Sequence, residues 1–107
     1  MAEELRLERD NVPNLMRKSG LETKVRAVRD DSEFFNLLAQ KMIRVIEQIK
    51  DEGPHEARFG EAQALLYAMT KHSGYTKYDI EDQVLLLERT YGGYRERVGI
   101  LASDEET

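Results

Sequence analysis

Charged and glycine-bearing residues cluster at four places in this chain: Arg9-Asp10-Asn11-Val12-Pro13, Arg17-Lys18-Ser19-Gly20, Asp30-Asp31 and Gly92-Gly93-Tyr94. Carboxylates can hold a hard divalent cation, and arginines can grip phosphate oxygens through paired N–H bonds. Softer chemistry is closed to the chain. It has no cysteine, which excludes disulfides and thiolate-ligated zinc or iron–sulfur sites. Its two histidines, His55 and His72, are too few for a histidine-rich centre. A metal site would therefore have to rest on carboxylates.

The 107 residues carry a net charge of −5, and 35% of them are charged with both signs interspersed. That balance argues against a dedicated nucleic-acid binder, although a local basic groove remains open. A chain of this length is expected to form one domain, 1–107, burying about 65% of its unfolded-chain surface. This is enough for a core but not for a deep, walled-off pocket, so a second protomer is expected to complete it. The opening Met-Ala-Glu-Glu-Leu-Arg has no apolar signal region, and no stretch reaches the ~18 apolar residues of a membrane span. A cytoplasmic location is the expectation.

The elements that must position these residues are helical. Pro13 fits an early helical position and Gly20 a left-handed stop, so Asn11 to Ser19 reads as a short helix with Val12, Leu15 and Met16 on one face. Glu22 to Arg29 lacks helical period and reads as an extended connector. Asp30-Asp31-Ser32 offers N-cap oxygens to a long helix from Glu33 to about Asp51. In that helix Phe35, Leu38, Met42, Val45, Ile46 and Ile49 form an apolar stripe, widened by Phe34, Leu37 and Ile43. Gly53-Pro54 ends it and opens an antiparallel partner through Phe59, Ala62, Leu65, Leu66 and Met69 to Gly74. Thr76 with Asp79 caps a fourth helix that ends at Gly92-Gly93. Residues 1–8 and 102–107 are expected to be flexible. The fold class is all-α: a helical bundle on an antiparallel two-helix hairpin with flanking shorter helices, its wide stripes suited to completion by dimerisation.

In their order, Glu8 to Gly20, Asp30 to Phe34, Lys41 to Ile49, Arg58 to Gly74 and Tyr91 to Arg97 resemble the all-α NTP pyrophosphohydrolase superfamily, in its MazG-like and phosphoribosyl-ATP-pyrophosphohydrolase-like branch. The resemblance implies metal-dependent cleavage of a nucleoside triphosphate to monophosphate and pyrophosphate. It also implies E-E-x-x-E on one helix and E-x-x-D on the facing one to hold Mg²⁺. This chain places Arg44, Val45 and Gln48 at the first set and Arg58 and Glu61 at the second, so four of five acids are absent. Tyr91 also replaces the arginine that precedes the family's glycine pair.

Three functions follow as expectations. The first is a catalytically degenerate relative that binds a nucleotide or other phosphorylated ligand without hydrolysis. Arg44, Arg58 and Glu61 would line its site, Tyr94 would offer a stacking surface, and no metal or other cofactor would be needed. The second is an active Mg²⁺ enzyme using Glu47, Glu56 and Glu61. The third is an oligomeric scaffold. Whether the chain is an enzyme stays open. Ordinary readings stand beside these: Arg44, Arg58 and Glu61 as solvated or ion-paired helix residues, His72 as a helix-end group, Gly92-Gly93 as a helix stop, and Arg9 with Asp10 as a pair pinning the N-terminal segment.

Overall fold

Asp30 begins the central element: in extended conformation, its carboxylate accepts the Glu33 N–H at 2.8 Å and starts a 22-residue helix. The computed structural model describes residues 4–21 and 24–101, and within them the chain is all-helical. The elements are α1 (Val12–Lys18), α2 (Asp31–Glu52), α3 (Glu56–His72) and α4 (Lys77–Tyr91). The tail 102–107 and residues 1–3, expected to be flexible, and Glu22 and Thr23 of the expected connector lie outside the described residues.

The helix ends follow local chemistry. Gly20, Gly53 and Gly92, at φ +82°, +100° and +82°, take the left-handed backbone that stops α1, α2 and α4. Thr76 and Asp79 form a reciprocal capping box for α4, with bonds of 3.1 and 2.8 Å. α3 differs from the sequence reading at its start. Its cap is His55, whose Nδ1 accepts the Ala57 N–H at 3.1 Å, while Pro54 stands outside the helix.

The chain divides into two compact units, Met1–Tyr75 and Thr76–Thr107. In the first, α2 and α3 pack as a hairpin around Leu38, Val45 and Leu65, bordered by Leu7, Phe34, Met42 and Met69. Phe35, Ile43, Ile46, Phe59, Leu66 and Tyr67 of the same helices stay exposed. α4, in the second unit, contains no buried residue. Among the described residues no helix is long and apolar enough to cross a membrane.

With so small a core, single truncations are costly. Leu38, 3% exposed, should lose about 2–5 kcal/mol on Leu38→Ala, whereas exposed Gln40→Ala should stay within about 0.5 kcal/mol. Urea unfolding followed by helical circular dichroism measures both.

Candidate functional site

Residues 4–10 form no helix and cross the hairpin as a strap held by side chains far away in sequence. Leu7 packs against the core, and its carbonyl accepts a hydrogen bond from Lys41 Nζ at 3.0 Å. The same Nζ lies 3.4 Å from the Glu8 carboxylate. One turn along α2, Arg44 donates to Glu4 at 3.0 Å. From the strap towards α3, Arg9 donates through Nε to Glu61 at 2.8 Å, and its terminal nitrogen reaches the same oxygen. Lys41 and Glu61 are the most sheltered charges in this set, with side chains 16% and 23% exposed.

Arg9, Lys41 and Glu61 rim a cavity of about 260 Å³ whose apolar wall is Phe34, Leu38 and Leu65. Helical spacing places these groups. Leu38 and Lys41 are i, i+3 on α2, and Glu61 and Leu65 are i, i+4 on α3, so each helix presents an apolar side chain and a charge to one side. Glu4 is held below the usual carboxylate range, chiefly by hydrogen bonding and charge from Arg6 and then by Arg44. The Arg44–Glu4 contact that ties the strap to α2 needs this carboxylate ionised, so it is present at neutral pH and is lost as the pH falls through the lowered range.

The structure gives the expected site residues separate partners. Arg58 closes the hairpin turn, donating to the Gly53 carbonyl at 2.9 Å and to Glu52 at 2.8 Å. Glu52 also accepts from Gln48 at 3.2 Å. Val45 is buried in the core. Of Arg44, Arg58 and Glu61, only Glu61 lines the cavity. Tyr94 stands 99% exposed in the second unit. Glu47 and Glu56 are both exposed, and among the described residues no three acidic or histidine side chains are grouped so as to hold a metal ion. The donor set does not fit the Mg²⁺ cage that the resemblance implies: one ligand position is an apolar core residue, and the surviving acid is shared with a guanidinium.

One local reading is corrected. Arg9 pins the strap through Glu61, and Asp10 is not its partner, because the strap carries Arg9 across to α3. His72 lies in the last turn of α3, where the helix-end reading puts it, and it also packs its ring edge-on against Phe34, centroids 5.1 Å apart. Lys41, Glu4 and Glu8 were not singled out by sequence. Their only signal was an i, i+3 pair of cations on α2 and two acids four apart in the N-terminal segment. No family model matches the chain, and no curated protein or solved structure matches it either.

Arg58→Ala should lower stability by about 1 kcal/mol, or roughly 4–8 °C in Tm, because it removes a carbonyl cap and a half-exposed ion pair. Differential scanning calorimetry reads this, and Arg58→Lys should restore part of it.

Proposed function

We propose that this chain is a catalytically degenerate relative of the all-α NTP pyrophosphohydrolases, MazG-like in its frame, which binds a nucleotide or another phosphorylated ligand without metal-dependent hydrolysis. The observation that carries the reading is the ion pair of Arg9 with Glu61. The one carboxylate that the resemblance leaves at a ligand position already faces a fixed cation, and a divalent ion brought there would be repelled by it. Arg44, at a position where the family keeps an acid, lies on the same side of α2 as Lys41, so two cations that could receive phosphate oxygens face the strap, where acids now pair with them. Arg58 is the weaker contact in this reading, since its guanidinium is engaged at the turn. Tyr94 belongs to the other unit and adds no support.

The exposed apolar residues of the hairpin favour a second property. Ile43, Ile46 and Leu66, between 45% and 56% exposed, make a face of the kind that a second copy covers in a symmetric dimer. A cytoplasmic homodimer that binds a phosphorylated small molecule is the reading as a whole.

Thermal shift with a nucleotide panel tests it. A ligand at 100 times its Kd adds about 2.7 kcal/mol to the native state, a rise of about 10 °C or more in a chain of this size. The rise should need no metal and should shrink in Arg44→Ala. Release of pyrophosphate with Mg²⁺, abolished by Glu61→Gln, would instead establish an active enzyme. Light scattering should give twice the chain mass, and Ile46→Glu should halve it.

A further inference from the structure

We infer that Lys41 and Arg44 form one anion site, and that Glu8 and Glu4 of the strap occupy it in place of a ligand bearing two adjacent phosphates. The inference rests on the phosphorylated-ligand reading and adds a binding residue, Lys41, and a means of regulation. The two cations are one helical turn apart, and residues at i, i+3 have Cβ atoms about 5–6 Å apart, a span that neighbouring phosphates of a diphosphate can bridge. Both cations are already paired with carboxylates, Lys41 with Glu8 at 3.4 Å and Arg44 with Glu4 at 3.0 Å. Those acids come from a segment more than thirty residues away in sequence.

The asymmetry of exposure fits an occupant that can leave. Lys41 and Arg44 are 16% and 35% exposed, whereas Glu8 and Glu4 are 48% and 59% exposed. The cations belong to the hairpin and the anions to its cover. A phosphate presents more charge and more acceptor oxygens than a carboxylate, and a diphosphate places two such groups on one molecule. Ligand entry therefore displaces Glu4 and Glu8 together, while Arg9 on Glu61 anchors the strap's other end. Apparent affinity is reduced by the fraction of molecules whose strap is seated.

Inorganic pyrophosphate is the probe, titrated calorimetrically against the full chain. Glu4→Gln with Glu8→Gln, which keeps size and touches no core residue, should tighten binding about fivefold, the release expected from two exposed ion pairs. Lys41→Met and Arg44→Gln should each weaken it at least as much. In the wild-type chain, pyrophosphate should accelerate tryptic cleavage after Arg6, identified by mass spectrometry, because a lifted strap is exposed to protease. Unchanged affinity in the double Gln variant, or in Lys41→Met, overturns the inference. So does cleavage after Arg6 that pyrophosphate leaves unaltered. If nucleotides still raise the wild-type Tm in any of those cases, only the strap mechanism has failed. If neither pyrophosphate nor any nucleotide binds any variant, the phosphorylated-ligand reading fails with it.

Discussion

Contact between α2 and α3 through Leu38, Val45 and Leu65 is what makes the first unit a structure rather than a set of helices. Helical stability in proteins comes mostly from packing an apolar face rather than from propensity, so the 22 and 17 residues of α2 and α3 depend on burying a shared stripe. Everything at the candidate site inherits its position from that contact. Arg44 and Val45 follow Lys41 at i+3 and i+4 on α2, so fixing Val45 in the core turns the two cations towards the strap. On the facing helix, burial of Leu65 holds Glu61 one turn earlier, within reach of Arg9.

The same contact bears on why these residues do not make the Mg²⁺ cage that the resemblance implies. A divalent ion needs several oxygen ligands arranged around it. Val45 stands at one of the positions where the resemblance asks for an acid, and restoring a carboxylate there would place a charge in the hairpin's apolar core. Arg9 beside Glu61 adds to that obstacle, since a divalent ion there would meet a guanidinium.

Much of the hairpin was legible in the sequence because its signals are local. Asp30, Gly53, Thr76 with Asp79, and Gly92 act within four residues of themselves, and each sits at the end the sequence assigned to it. The α3 start was misread because His55 caps through a ring nitrogen while the neighbouring Pro54 gives the louder signal. The site was less legible. Arg44 and Glu61 were found through their place in a frame, but Lys41, Glu4 and Glu8 matter only through pairings that span 33 to 52 residues together with Arg9 and Glu61. No periodicity or cap records such a pairing. His72 shows the same limit, since its neighbour Phe34 stands at the start of α2, far away in sequence.

The strap and the hairpin differ in how they are held, and that difference separates what can move from what cannot. Exposed ion pairs contribute about 0–1 kcal/mol each, so the strap's hold is the sum of small terms that salt, acid or a competing anion can remove one at a time. Truncating a buried leucine such as Leu38 or Leu65 costs several times as much. Leu7 joins the two regimes: its side chain borders the core while its carbonyl accepts from Lys41. A strap released at Glu4 and Glu8 would lift Leu7 with it and stay tethered through Arg9 on Glu61. The rigid part of the molecule therefore keeps its cations in place while the weakly bound part exchanges.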